Sequence, residues 1–414
     1  MSQESCLIDG FGPLSIERPA SVAELGEIVR RAAASRQAIY PIGGQTTLGY
    51  GMPPSTPGLA VALGHLQQVI DYPARDMTVT VQAGITLAAL RNVLATENQR
   101  LPVDVPQAER ATLGGALAVN SSGPRRYGYG TLRDYVIGIS VVSDEGQEVK
   151  AGGRVVKNVA GYDLCKLHIG ALGTLGVICQ VTLKLRPVPE RSVLVSLPYR
   201  ADGVAGLLES LHASRTRPVC LDVLNAEAAR TIDPEADGGP DAWRVLIGYE
   251  DNEDTVKWQL QELIGGLRAA HSLAAYVDDA AEPLWRRLIE FRGLTDAALT
   301  FKANLLPSTV PGFCLAATQA WPALAIQAHA GSGVVVGHAA ADLTAEQAAA
   351  LLGFLREAAA AGGGHVVVLR CPPAWKAALS VWGPPRGDVA LMRAVKEKLD
   401  PRRLFNPGRF IDGI

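Results

Sequence analysis

The sequence predicts an α+β protein built in two domains, on three observations. The chain has 414 residues, well above the usual size of one domain. Its N-terminal half switches repeatedly between helical and strand periodicity. Its middle third alternates strand-like and helix-like stretches. Hydrophobic residues make up 48% and charged residues 19%, a globular balance with enough apolar mass for a sizeable core.

Each element follows from a local pattern. Ser21-Val22-Ala23-Glu24 is a capping box, in which Ser21 accepts from the N3 amide and Glu24 reaches back. Val22, Leu25, Ile28, Val29 and Ala32 then repeat at helical spacing. A short strand, 38–42, runs straight into Gly43-Gly44-Gln45-Thr46-Thr47-Leu48-Gly49. Alternation over 77–82 predicts a strand, and Thr86 is the expected N-cap of a helix to about Glu97. Residues 137–143 and 148–151 predict a hairpin around Asp144-Glu145-Gly146. A further strand is expected over 179–185, with Arg186-Pro187-Val188-Pro189 as an exit linker. Beyond it, strands are expected near 192–197 and 244–249, and helices around 255–270, 345–361 and 391–399.

Composition excludes several classes of function. A formal net charge of −2 argues against a nucleic-acid partner. The N-terminus lacks a charged segment followed by an apolar run, so no secretory signal is expected. No stretch reaches 18 consecutive apolar residues, so no membrane span is expected. The six cysteines form no CxxC pair, which disfavours a zinc ribbon, an iron–sulfur cluster or a redox dithiol. Reduced thiols and a cytoplasmic location are the simplest reading.

Three glycine-rich segments carry the chemistry. In the loop 41–49, consecutive glycines and small hydroxyl residues after a strand leave backbone N–H groups free to converge on an anion. It is neither a Walker loop nor Gly-x-Gly-x-x-Gly, and an ordinary β-turn is the competing reading. The second segment, 112–129, holds Gly114-Gly115 and Asn120-Ser121-Ser122-Gly123-Pro124-Arg125-Arg126. Its small residues suit a flat ring or a phosphate, and its arginines suit a phosphate or carboxylate; a solvated turn is the alternative. The third joins Lys157-Asn158-Val159-Ala160-Gly161-Tyr162-Asp163 to Gly173-Thr174-Leu175-Gly176-Val177-Ile178.

Order and spacing together are more specific than any one segment. Pro41–Thr47, Ala111–Gly115, Tyr129–Asp134, Ala160–Leu164, Gly173–Ile178 and the terminal Phe405-Asn406-Pro407-Gly408-Arg409-Phe410 resemble the FAD-linked oxidase family, the vanillyl-alcohol oxidase or p-cresol methylhydroxylase fold. The resemblance covers roughly residues 18–190 and 380–411. Within the family, 122–126 and 156–163 are similar to the smaller flavin subunit of glycolate oxidase complexes.

The resemblance implies a two-subdomain FAD-binding domain of the p-cresol methylhydroxylase type at 1–190. It implies an α+β cap at 191–375, and a C-terminal segment, 376–414, returning to the flavin site. Pro41, Ile42, Gly43, Gly44, Gln45, Thr46 and Thr47 would hold the pyrophosphate. Thr112, Gly114, Gly115, Ser121, Ser122 and Gly123 would contact pyrophosphate and isoalloxazine, with Pro106 in the same set. The backbone around Val177 and Ile178 would meet the adenine end and Asn406 the flavin ring, with Gly173 and Gly176 also in the cofactor-binding set.

Two departures from the family pattern matter. Covalent members commonly carry a histidine in or near the pyrophosphate loop; Gln45 stands there, so a dissociable FAD is expected. Catalytic D-2-hydroxyacid dehydrogenases of the family often carry His-x-x-Asp-Gly-Asn-x-His in the cap. The corresponding stretch, His329–Val336, has Ser332, Val334 and Val336 where the motif has Asp, Asn and the second His. No metal site is expected, and His329 reads as a structural histidine. No catalytic base stands out among His65, His168, His338 and His365. Lys302 and Arg292 are candidate carboxylate anchors, with a solvated face as the alternative.

The expected role is a flavin subunit of a glycolate oxidase-type complex acting on a 2-hydroxy acid. Its partners would be a larger flavin subunit and an iron–sulfur subunit. The membrane would be reached only through those partners. A stand-alone FAD-dependent dehydrogenase or oxidase, and a non-catalytic FAD-binding interaction subunit, are the alternatives.

Overall fold

The capping box does start a helix. Helix Val22–Ser35 is capped by Ser21, whose side chain accepts from the Glu24 amide. The Glu24 carboxylate reaches one residue further back, to the Ala20 amide at 2.8 Å. Its apolar stripe of Leu25, Ile28, Val29 and Ala32 is buried against Leu59, Val61, Val142, Val177 and Cys179. The computed structural model describes residues 5–153, 163–234, 242–267, 273–294, 296–385 and 387–414. Most of the Lys157–Asp163 motif, residues 157–162, therefore lies outside the described residues.

The chain divides into two compact units. The first comprises the chain up to Ser121, Thr131–Val188 and Pro384–Ile414; the second comprises Ser122–Gly130 and Pro189–Gly383. The segment Ser122–Gly130 thus interrupts the first unit and belongs to the second.

The first unit holds two main sheets. In one, Ala38–Ile42 and Phe11–Glu17 each pair parallel with Gly58–Ala62, and Ser5–Ile8 adds an antiparallel edge. The N-terminal hairpin and strand Gly58–Ala62 are additions to the sequence reading. A parallel strand buried on both faces has no polar alternation to betray it. The other sheet runs Val69–Asp71, Thr78–Gln82, Val177–Lys184, Val136–Val142, Glu148–Gly152, all antiparallel. Thr86 caps Leu87–Ala95. Thr112 caps a short helix, Leu113–Ala118, that the paired glycines concealed, since glycine is a poor helix former.

The second unit is one eight-stranded antiparallel sheet with helices. Its strand order is Ala274–Val277, Arg191–Tyr199, Trp243–Asp251, Cys220–Leu224, Ala325–His329, Val334–Ala339, Leu299–Asn304, His365–Arg370. Helix Glu282–Glu290 packs Leu284, Trp285 and Leu288 on Leu194, Cys220, Leu246 and Val336. Helix Ala345–Ala361 carries a complete capping box at Thr344 and Gln347.

The C-terminal segment is fastened into the first unit by a buried ion pair. Lys396 on helix Val389–Leu399 donates to Asp400 at 2.6 Å, to the Thr174 carbonyl at 2.7 Å and to the Phe405 carbonyl at 3.0 Å. Asp400 also accepts from the Leu404 and Phe405 amides, both at 2.9 Å. Burial pushes the Lys396 ammonium down and the Asp400 carboxyl up, and each is opposed by its partner. Removing one member of such a pair costs about 3–5 kcal/mol, because the other is left buried and unanswered. Lys396→Met is therefore expected to lower unfolding stability by that amount in urea denaturation. A loss below about 1 kcal/mol would mean that water reaches Asp400 and the pair is not closed.

Candidate functional site

The site grows from one strand. Ala38–Ile42 pairs on one side with Gly58–Ala62. On the other, the Ile39 amide donates to Leu404 at 2.7 Å and the Asn406 amide to Ile39 at 2.9 Å. The C-terminal segment thus lies beside the strand, and Asn406 arrives next to the loop that follows it. At Gln45 the backbone turns left-handed, φ 58°. Such a reversal lets successive N–H groups converge into an anion-binding nest. Among the described residues, no backbone acceptor is engaged by the N–H groups of Gly43 to Thr47.

A cleft opens over these amides. It is lined by Pro41 and Gly43–Leu48, by Thr112, Gly115, Ala118 and Val119, and by Leu172, Asn406 and Arg409. The glycines make the approach possible by what stands behind them. A Cβ on Gly44 would overlap the Arg110 carbonyl, and one on Gly43 the Thr112 hydroxyl. The loop is therefore pressed backbone to backbone against the turn that caps helix Leu113–Ala118.

Two buried polar atoms have no partner within the protein. Arg409 donates through Nη2 to the Leu48 carbonyl at 2.7 Å and the Tyr50 carbonyl at 2.8 Å, while its Nη1 is buried without a partner. Burial pulls its basicity down, opposed by Asp9 and Tyr40. Asn120, left-handed at φ 48°, holds a buried Oδ1 with no partner. Buried polar atoms are nearly always satisfied, so each calls for an explanation. Asn406 spends its Nδ2 on the Leu172 carbonyl at 2.6 Å.

Of the residues expected at the cofactor, the structure brings Pro41, Gly43, Gly44, Gln45, Thr46, Thr47, Thr112, Gly115 and Asn406 together around this cleft. It places the others elsewhere. Ile42 is buried in the core of the first sheet. Gly114 packs on Ala83, and Gly176 on Val141. Val177 and Ile178 are buried in the central strand of the five-stranded sheet. Gly173 stands beside the Asn406 amide. Pro106 precedes the Gln107–Arg110 turn, and Ser121 donates to the Ala116 carbonyl behind helix Leu113–Ala118. Ser122 and Gly123 belong to the second unit. Arg409, which lines the cleft, and Asn120 were not singled out from the sequence; both sit within quoted motifs, but their unpartnered atoms exist only in the fold.

The second unit gathers its own charged groups. Arg125 is no solvated surface arginine: its Nε pairs with Glu250 at 2.7 Å and its guanidinium stacks 3.8 Å from the Trp285 ring. Tyr129 donates to the other Glu250 oxygen at 3.0 Å. Arg126 and Arg292 both reach Ser122, at its hydroxyl (3.3 Å) and its carbonyl (3.5 Å). Beside them, burial and the like charges of Arg292 and Arg126 bring the Lys302 ammonium down to about 7. His338 is held by Thr300 (3.0 Å) and the Phe291 carbonyl (2.7 Å), and burial lowers it to about 4. His365 meets Asn304 at 3.1 Å. His329 is not alone: its Nδ1 lies 2.9 and 3.0 Å from the two carboxylate oxygens of buried Asp222. Among the described residues, no three His, Cys, Asp or Glu side chains cluster as a metal would require, and no helix is long and apolar enough to cross a membrane.

Comparison with known proteins agrees with this geometry. Residues 13–152 match the FAD binding domain family, and residues 384–410 the C-terminal domain of FAD linked oxidases. The chain is 29% identical over 305 residues to glycolate oxidase subunit GlcD of Bacillus subtilis (strain 168), covering 72% of this chain and 63% of that one. It is 38% identical over 188 residues to D-2-hydroxyglutarate dehydrogenase of Xanthomonas citri pv. viticola, covering 45% and 40%. It is 36% identical over 126 residues to glycolate oxidase subunit GlcE of Escherichia coli (strain K12), covering 30% and 36%. These alignments span less than two thirds of each relative. Among solved structures, 4-ethylphenol oxidase from Gulosibacter chungangensis superposes with TM-score 0.72 at 14% identity, covering 95% of this chain and 88% of that one. An alkyldihydroxyacetonephosphate synthase does so with TM-score 0.70 at 18% identity, covering 96% and 77%. At such identities the likeness is one of fold.

The geometry at Gly44 sets a test. Even Gly44→Ala must push the loop off the Arg110 carbonyl, so both bound flavin and thermal stability should fall. Flavin content of the purified variant, read from the visible spectrum, checks the first and a melting curve the second. A variant with full flavin would detach the loop from the cofactor.

Proposed function

We propose that this chain, which belongs to the FAD-linked oxidase family and uses FAD as its cofactor, is a flavin subunit of a glycolate oxidase-type complex. Its substrate class is the small 2-hydroxy acids, and its electrons pass to an iron–sulfur partner. The observation that carries the reading is the set of uncommitted N–H groups at Gly43–Thr47 in one cleft with the spare nitrogen of Arg409. A pyrophosphate needs such donors, so the residues present fit the cofactor.

In this reading the amides of Gly43–Thr47 bind the pyrophosphate, and the Thr46 and Thr47 hydroxyls are further donors. Arg409 supplies its free Nη1 to an acceptor on the cofactor. Asn406, fixed by Leu172, shapes the wall facing the ring. Gln45 offers no ring nitrogen for a covalent link, so the FAD is dissociable. When bound, FAD supplies an acceptor for a hydride. In the second unit, Lys302, Arg292 and Arg126 are the groups for a substrate carboxylate. The names of the relatives, two glycolate oxidase subunits and a D-2-hydroxyglutarate dehydrogenase, support the substrate class.

The deciding experiment is an anaerobic visible spectrum of the purified chain before and after adding glycolate or D-lactate. A flavin spectrum that bleaches establishes a dehydrogenase carried by this chain. A spectrum that stays oxidised until partner subunits are added places the chain in an accessory role. Absence of flavin even after incubation with FAD would overturn the reading.

Lys302 adds a pH dependence whose sign is fixed. With its ammonium brought down to about 7, it is neutral in the folded chain between there and its ordinary range near 10.5. The unfolded chain holds more protons in that window, so stability without ligand rises with pH across it. A bound carboxylate favours the charged form and reverses the penalty. Oxalate, which has no C–H to oxidise, should therefore raise the melting temperature more at pH 6 than at pH 9. Lys302→Met should erase that difference; an equal shift at both pH values would exclude Lys302 from the anion site.

A further inference from the structure

A second cleft of the first unit opens at the other end of strand Ala38–Ile42. The glycine loop leaves the strand after Ile42, whereas this cleft is lined by Ala38 and by Arg36 and Gln37 before it. At about 3.3 Å of rise per residue, the two ends of the strand lie about 13 Å apart. Its other walls are Ser55 and Thr56, ahead of strand Gly58–Ala62, and Arg402, Arg403 and Pro407 of the C-terminal segment. None of its residues lines the cleft over the glycine loop. Its volume is about 570 Å³, within the range of small-molecule sites.

The lining carries three guanidinium groups and, among the described residues, no carboxylate. Arg402 is partly engaged: its Nε lies 3.6 Å from the Asp144 carboxylate, and its Nη1 donates to the Asp144 carbonyl at 3.4 Å. Arg36 and Arg403 make no side-chain hydrogen bond or ion pair among the described residues. Burial first, and the charge of Arg403 after it, push the Lys396 ammonium down. Both arginines are also left-handed, at φ 55° and 51°, a conformation that suits glycine or asparagine. Arg36 ends helix Val22–Ser35, where a cation is at home beside the last carbonyls. Arg403 has no such helix end to serve. Two arginines held against backbone preference in the lining of one cleft, with their forks unspent, are arranged to hold an anion.

We infer that this cleft is a second anion site, for a small molecule carrying a phosphate group. Arg36 and Arg403 donate to the phosphate oxygens, and the Thr56 hydroxyl is a further donor. A phosphate offers more oxygens and more charge than a carboxylate, so it can meet two guanidinium forks and a hydroxyl together. Arg403 belongs to the segment that carries Asn406 and Arg409 to the flavin cleft. Arg36 ends the helix beneath which that segment buries Phe405. An anion bridging the two arginines fastens the segment from outside and slows flavin loss. The bracing rests on reading the neighbouring cleft as the flavin site; the anion site itself does not.

The probe is inorganic pyrophosphate, titrated by calorimetry into the FAD-loaded chain at low ionic strength, where exposed charges are least screened. One saturable site is expected. Arg36→Asn and Arg403→Asn should each weaken it about tenfold, and the double variant should abolish it. Asparagine tolerates left-handed backbone, so both variants should melt no lower than wild type and keep their flavin. Pyrophosphate should also slow flavin release on dilution, followed in the visible spectrum, in the wild type and not in the double variant. No saturable binding, or binding that survives in the double variant, overturns the anion site. Binding that expels flavin places pyrophosphate in the flavin cleft and overturns it too. Binding lost in the double variant, with flavin release unmoved by pyrophosphate in the wild type, overturns the bracing alone. A chain that takes up no FAD sinks the flavin reading and the bracing with it, while the variants still locate the pyrophosphate.

Discussion

The first unit depends on one buried ion pair. Asp400 gathers the Lys396 ammonium and the amides of Leu404 and Phe405 into a single carboxylate. Lys396 in turn grips the carbonyls of Thr174 and Phe405. A charge pair taken wholly out of water is tolerable only when every remaining donor and acceptor is met. Here meeting them bends the chain out of its last long helix and lays it along strand Ala38–Ile42. Phe405 is thereby buried in the core beneath helix Val22–Ser35. Asn406 and Arg409, neighbours of Phe405 in the chain, then have nowhere to go but the cleft. A segment distant in sequence becomes one wall of the site because a lysine and an aspartate must not be left alone.

The opposite wall is set by close approach. Gly43 and Gly44 are required because the Thr112 side chain and the Arg110 carbonyl stand where side chains would be. Their contribution is to let two stretches of backbone touch, and the uncommitted N–H groups follow from that contact. Glycine in such a loop shapes the scaffold first and the ligand's space second. Loop and helix cap form one piece, so damage to either is felt in both.

In the second unit, the sheet face sorts its charges into settled and unsettled ones. Arg125 is settled, between Glu250 and the Trp285 ring, and it anchors the segment that interrupts the first unit. His338 is settled, with both ring nitrogens engaged. Lys302 is held near two other cations and brought down to about 7. His329 is settled on Asp222. Like charges cost stability where they stand, which is why they mark functional faces.

Much of this was legible in the residues. Ser21 and Thr86 cap helices because a short side-chain oxygen before an apolar repeat satisfies free amides. Strand 38–42 and the glycine loop after it were readable because the switch from apolar run to glycine is local. The order of glycine segments identified the family, since each preserves a local backbone shape. Other features had no local signal. Strand Gly58–Ala62 is buried on both faces and shows no alternation. Helix Leu113–Ala118 begins with paired glycines and is held by its cap. Gly114, Gly176, Val177 and Ile178 read as ligand contacts from their motifs alone, and only the fold shows that the side chains of Val177 and Ile178 are buried. The sequence by itself determined the fold class, the cofactor family and the loop, because those rest on interactions within a few residues. Only the tertiary structure decided that His329 has Asp222 beneath it, 107 residues away, and that Arg409 keeps a free nitrogen. Partnership across a sheet is set by strand order and register, and no stretch of residues read alone contains either.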